Sequence, residues 1–130
     1  MFRFKALICS LTLLVLLPSL HAQQSASQRA IAITIDDLPA ASLRLNGKEM
    51  DELTQKLLAT LKQKEVPAIG FVNEKKLFVK NEADDRINAL RMWLDNGFEL
   101  GNHTYSHMSL SRSSLADWEE NVVRGETVVR

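Results

Sequence analysis

The stretch Asn96-Gly97-Phe98-Glu99-Leu100-Gly101-Asn102-His103-Thr104-Tyr105-Ser106-His107 decides how this chain reads. Asn96-Gly97 stops a helix by supplying a residue that accepts a left-handed backbone. Phe98 to Gly101 then reads as a short strand that delivers two histidines four residues apart. At that spacing, two imidazoles on a helical turn project to the same side, where both reach one metal ion.

Working outward, the same alternation of strand and helix repeats. Ile31 to Ile35 is a β-branched run closed by Asp36-Asp37-Leu38-Pro39, and Pro39 stops any continuation. Asn46-Gly47 marks a turn. Met50, Leu53, Leu57, Leu58 and Leu61 then recur at helical spacing and predict an amphipathic helix over 48–64. Val66-Pro67 opens a second strand over 68–72. A second helix over 84–95 follows, with Ile87, Leu90 and Leu94 on its inner face. Downstream, Ser114 with Asp117 predicts a helix start. Leu115, Trp118, Val122 and Val129 extend that third helix to the final residue. Strand, helix, strand, helix, strand, helix is the order of an α/β architecture with parallel strands. Trp93 and Trp118 lie within helical periodicity and read as packing residues rather than sugar platforms. Glu74-Lys75-Lys76 and Glu82-Ala83-Asp84-Asp85 read as solvated charges.

The amino terminus has a different character. Arg3 and Lys5 form a basic head, Ala6 to Leu17 is apolar, and Leu20-His21-Ala22 offers a small residue at a cleavage point. This layout predicts a signal peptide over 1–22, a polar leader over 23–29, and export to the periplasm or exterior. The apolar run is shorter than the about 20 residues a membrane span needs, so no integral span is expected after cleavage. Cleavage takes the basic count from 16 to 14 against 16 acidic residues. No clustered basic face marks a nucleic-acid partner. Cys9, the single cysteine, falls in the signal, so the exported chain must rely on a packed core rather than disulfides.

In parallel α/β folds, functional groups gather at the carboxyl ends of the strands. Asp36-Asp37 and His103…His107 fall at that same end, after the first and third strands. Two histidines and one carboxylate hold a divalent metal and leave positions open. Adjacent aspartates point in different directions, so one binds metal while the other takes a proton from attacking water. Thr104 stands where a thermolysin-like helix carries its glutamate base, which leaves Asp36 as the base candidate.

Thr34-Ile35-Asp36-Asp37-Leu38-Pro39 and His103-Thr104-Tyr105-Ser106-His107 resemble the first two motifs of the polysaccharide deacetylases, the NodB-homology type of carbohydrate esterase. Gly70-Phe71-Val72 resembles that family's second strand, and 96–102 resembles its approach to the histidines. The resemblance covers Ala30 to Arg130. It implies a partial distorted (β/α) barrel represented by its first three β/α units. It also implies hydrolytic removal of acetyl groups from chitin-, peptidoglycan- or poly-N-acetylglucosamine-like polymers, with an N-acetylated polysaccharide or oligosaccharide as partner. By motif position, Asp36 is the catalytic base, and Asp37, His103 and His107 are the metal ligands. Zinc is the first expectation, with cobalt, nickel or manganese as alternatives.

Leu38 stands where many members have glycine, which bears on substrate subclass. The family's later motifs supply an orienting arginine, groove residues and a histidine acid, and they are absent from this sequence. Residues 30–130 are therefore expected to form the amino-terminal part of a deacetylase-like domain, inactive alone. Rival expectations are a catalytically silent metal- or glycan-binding fragment and a hydrolase of small amides or imides on the same scaffold. Asn102 and Ser106 are expected to buttress the histidines or to form turn hydrogen bonds.

Overall fold

Three parallel strands in the order β1-β2-β3 carry the fold: β1 (Ile33–Leu38), β2 (Ala68–Val72) and β3 (Glu99–Asn102). The structure is a computed structural model that describes residues 29–42 and 44–130; the predicted signal peptide and nearly all of the leader lie outside these residues. Helices α1 (Gly47–Gln63), α2 (Ala83–Asp95) and α3 (Leu115–Arg124) alternate with the strands. The order expected from periodicity is the order found.

Local chemistry accounts for the boundaries. Asn46 does not make a free turn but caps α1. Its side chain accepts from the Glu49 N–H at 3.0 Å, while the Glu49 carboxylate accepts from the Asn46 N–H at 3.0 Å. Each side chain thus satisfies a backbone donor that the helix leaves free. At the far end of α2, Gly97 takes φ +83°. The Gly97 N–H reaches the Leu94 carbonyl at 2.9 Å, and the Phe98 N–H reaches the Trp93 carbonyl at 3.0 Å. That pair of bonds is the Schellman arrangement, and the Phe98 ring meets Trp93 edge-on at 5.7 Å. The cap therefore places the first apolar residue after the helix onto its core tryptophan.

One face of the sheet is covered by α1 and α2. Leu38, Val72, Leu58, Leu61, Leu77, Leu90 and Trp93 form the buried cluster between them, with Ile35, Ala68 and Leu100 packed against it. Strand alternation places Ile69 and Phe71 on the other face. A Cβ at Gly101 would meet the Phe71 ring at 2.7 Å, so Gly101 shares that face.

Several expectations are corrected. β1 starts two residues later than predicted and runs through Asp36 and Asp37 to Leu38. Leu94 is 55% exposed while Trp93 and Ala89 are buried, so the inner face of α2 is rotated by one residue. In α1, Leu53 is exposed and Thr54 is buried. α3 stops at Arg124 instead of running to the last residue. Gly125 ends it at a point where a Cβ would lie 2.6 Å from Asn102 Oδ1 and from the Thr104 carbonyl carbon. A side chain there would drive the helix off the loop beneath it. The close approach of α3 to that loop thus requires glycine at position 125.

Among the described residues, no helix is long and apolar enough to cross a membrane. Replacing Trp93 by alanine is expected to cost about 3–5 kcal/mol in a urea unfolding titration, because it empties the largest buried site. A loss under about 1 kcal/mol would show that the core is centred elsewhere.

Candidate functional site

The register of β1 explains how two neighbouring aspartates separate. Ile35 pairs with Gly70 but Leu38 pairs with Val72, so three steps of β1 span two of β2. The extra residue makes a bulge, a device that re-aims side chains at the end of a strand. Asp37 sits in it at φ +67°. The ladder resumes beyond it, with the Asn73 N–H donating to the Leu38 carbonyl at 3.1 Å. Asp36 is exposed, whereas Asp37 is half-buried.

The histidines arrive from β3. The His103 N–H donates to the Val72 carbonyl at 2.8 Å and so prolongs the sheet by one bond. The next residues are not a helical turn, contrary to expectation. Thr104 (φ +65°) and His107 (φ +57°) both adopt left-handed backbone, which folds the segment into a tight loop. That loop brings the rings to 4.7 Å between centroids, inclined at 74°.

Asparagines fasten the loop. Asn73 Nδ2 donates to the His103 and Thr104 carbonyls at 3.0 and 3.1 Å. Asn102 Oδ1 accepts from the Thr104 N–H, and Asn102 Nδ2 donates to the Val122 carbonyl at 2.8 Å. From α3, Asn121 accepts the Tyr105 N–H on its carbonyl and the Ser106 N–H on its side chain, and donates to Ser106 Oγ at 2.9 Å. Asn121 is the one buried residue of α3. Arg124 stacks 3.7 Å over the Tyr105 ring. Asn102 thus makes the expected turn bond, to the Thr104 N–H, and Asn102 and Ser106 both tie the loop to α3.

Asp37, His103 and His107 each offer one ligand atom, and the three atoms lie within 4.8 Å of one another. Two imidazole nitrogens and one carboxylate oxygen suit zinc and its first-row neighbours, and the set fits a single ion. Lys76, which the sequence reading left among solvated charges, reaches into this group. Its ammonium donates to Asp37 Oδ1 at 2.7 Å and to the Asp37 carbonyl at 3.3 Å. Glu74 beside it is also buried rather than solvated, and accepts from the Val128 N–H. A groove of about 440 Å³ opens next to the group, lined by Asn73, Lys76, Phe78, Val79, Ser106 and His107.

Residues 23–130 match the family model described as polysaccharide deacetylase. The chain belongs to that family. It is 27% identical over 99 residues to a peptidoglycan-N-acetylglucosamine deacetylase of Bacillus cereus, covering 76% of this chain and 30% of that protein. Among solved structures it matches a peptidoglycan N-acetylglucosamine deacetylase in complex with 4-naphthalen-1-yl-N-oxidanyl-benzamide, with a TM-score of 0.55, 26% identity, and coverage of 75% of this chain and 38% of that one. The chitin deacetylase from the fungal pathogen Colletotrichum lindemuthianum matches with a TM-score of 0.55 and 28% identity, over 76% of this chain and 38% of that one. The chain thus spans well under half the length of these relatives. Its three parallel strands and their helices form a partial (β/α) barrel of the deacetylase type.

The hydrogen bond from Lys76 holds the Asp37 carboxyl below its ordinary value of 3.8. Burial opposes this, and the charges of Lys76, His107 and His103 add to the lowering. A depressed value in the folded state means a stabilising contribution that is complete above 3.8 and is lost as pH falls from there through the folded value. In metal-free buffer, Asp37→Asn should therefore melt below the wild type above about pH 5, and the gap should close in stronger acid. A gap that persists unchanged into strong acid would refute the ion pair as its source.

Proposed function

We propose that this protein is a metal-dependent hydrolase that removes acetyl groups from an amino-sugar polymer. The observation that carries the reading is the convergence of Asp37, His103 and His107 at the carboxyl ends of β1 and β3 in a chain of the deacetylase family. Asp37, His103 and His107 hold a divalent ion, with zinc the first choice for an N₂O donor set. When bound, such an ion polarises a carbonyl oxygen and acidifies water.

The residues around it divide the remaining work. Asp36, exposed and next to Asp37 in the chain, accepts the proton of the attacking water. The groove walled by Phe78, Val79 and His107 receives the glycan, with the exposed Phe78 ring offering an apolar face to a sugar. Peptidoglycan or chitin oligomers are the substrate class, on the strength of the relatives' activities. The protein is exported by way of the 1–22 segment, and residues 30–130 are the amino-terminal part of a deacetylase-like domain.

The test couples binding to turnover. Asp37→Ala and His103→Ala should each weaken zinc binding by more than about a hundredfold, since loss of an outer-shell partner alone costs 10–100-fold. Asp36→Asn should leave zinc affinity intact and, in a longer form that carries the family's later motifs, lower acetate release from an acetylated chito-oligomer by about 10²–10⁴-fold. Zinc retained by both alanine variants would refute the ligand assignment, and full activity in Asp36→Asn would refute the base. Zinc binding without acetate release from any acetylated glycan, even in a form that carries the family's later motifs, would replace this reading with a silent metal-binding one.

A further inference from the structure

Lys76 belongs to none of the roles assigned above, yet it makes the closest ionic contact in the centre. It lies in a 3-10 turn over Glu74–Leu77, between β2 and α2, and its side chain is only 15% exposed. A lysine ammonium is strongly hydrated and ordinarily keeps its head in water. Here it is turned inward and grips one residue twice, through the carboxylate and the backbone carbonyl of Asp37.

The gripped residue is one that needs holding. Asp37 sits at φ +67° within the bulge of β1, a left-handed conformation that is uncommon for residues with a Cβ, though less so for aspartate than for most. The grip is itself anchored. The Lys76 N–H donates to the Asn73 carbonyl at 2.9 Å, and the Lys76 carbonyl accepts from Arg86 Nη1 at 3.2 Å. Arg86 is fully buried and paired with Glu82. The neighbouring Lys75 N–H donates to the Tyr105 carbonyl at 2.8 Å, inside the histidine loop. A continuous chain of bonds thus runs from α2 through Lys76 to Asp37, with a branch to the loop that bears His103 and His107.

We propose that Lys76 is a positioning residue of the metal centre, holding Asp37 in its ligand conformation through Oδ1 and leaving Oδ2 for the ion. This rests on the reading of Asp37, His103 and His107 as metal ligands. An ammonium beside a dication is also repelled by it, and that repulsion favours the opposite outcome. The Asp37 carboxylate lies between the two cations, however, and its negative charge offsets their repulsion. Release of Asp37 from its left-handed bulge has no such offset. Positioning is therefore the larger effect, and loss of Lys76 weakens binding.

The test uses the purified protein, titrated with zinc chloride and separately with cobalt(II) chloride. Lys76→Met keeps the length of the stem and removes the charge and the donors; Lys76→Arg keeps both. Lys76→Met should bind zinc about 10–100-fold more weakly than the wild type and show an altered cobalt visible spectrum. Lys76→Arg should restore the wild-type spectrum and most of the affinity. A purely structural role would lower the metal-free melting temperature and leave the affinity and spectrum of the folded protein unchanged.

Zinc binding by folded Lys76→Met as tight as, or tighter than, that of the wild type overturns this proposal alone. A wild type that binds neither ion overturns the metal reading and this proposal with it. Should Lys76→Met fail to fold, Lys76→Arg decides. Wild-type affinity and spectrum in that variant support positioning, and a folded arginine variant that binds tenfold more weakly overturns it.

Discussion

The extra residue in β1 is the constraint on which the centre depends. A regular strand through Ile35-Asp36-Asp37-Leu38 would send the two carboxylates to opposite faces of the sheet, one into the apolar layer under α1 and α2. The bulge removes that conflict. It lets Leu38 rejoin the buried cluster opposite Val72 while Asp37 swings toward the histidines. The local cost is a left-handed aspartate, of the order of 1–2 kcal/mol in backbone terms. It is offset by burial of Leu38 beyond the bulge and by the Lys76 ammonium on the bulged residue itself.

Polar bonds, rather than apolar packing, hold the histidine loop. His107 is exposed and His103 half-buried, so the loop that carries them is held without a hydrophobic cover over its rings. Asn73 from the end of β2 and Asn121 from α3 approach the loop with amide groups that satisfy its backbone on separate elements. Each asparagine makes at least two bonds to the loop, so a shift costs several partners at once. α3 accordingly meets the loop through Asn121, its one buried residue, while Leu115 and Val123 are exposed.

Much of this was legible in the sequence, and the rest failed for physical reasons. Element order followed from periodicity, and the Gly97 cap and the Ser114 helix start followed from residues whose side-chain chemistry acts locally. Asp37, His103 and His107 were readable because strand ends in parallel folds share one end of the sheet. The helical turn across 103–107 was misread because spacing alone does not distinguish a helix from a loop with two left-handed residues. The end of α3 was missed because Gly125 answers to Asn102 and Thr104, residues about 20 positions away. Lys76 and Glu74 looked like surface charge because their partners, Asp37 and Val128, are 39 and 54 residues distant. Sequence periodicity reports which face of an element is apolar; it does not report a single ion pair formed across the fold.

Environment, more than residue type, separates the two aspartates. Adjacent carboxylates that met the same ion would repel each other and compete for it, and one fold can run two roles only by placing them differently. Asp37 is half-buried and held by an ammonium that keeps its carboxyl below the ordinary range, which suits a permanently anionic ligand. Asp36 is exposed, outside that ion pair and in contact with water, which suits a group that must accept a proton and return it to solvent. The bulge re-aims Asp37, and Lys76 holds its carboxyl below the ordinary range. The same ammonium that fixes the ligand also neutralises its charge before any ion arrives. The three donor groups of Asp37, His103 and His107 are thus already gathered within 4.8 Å of one another.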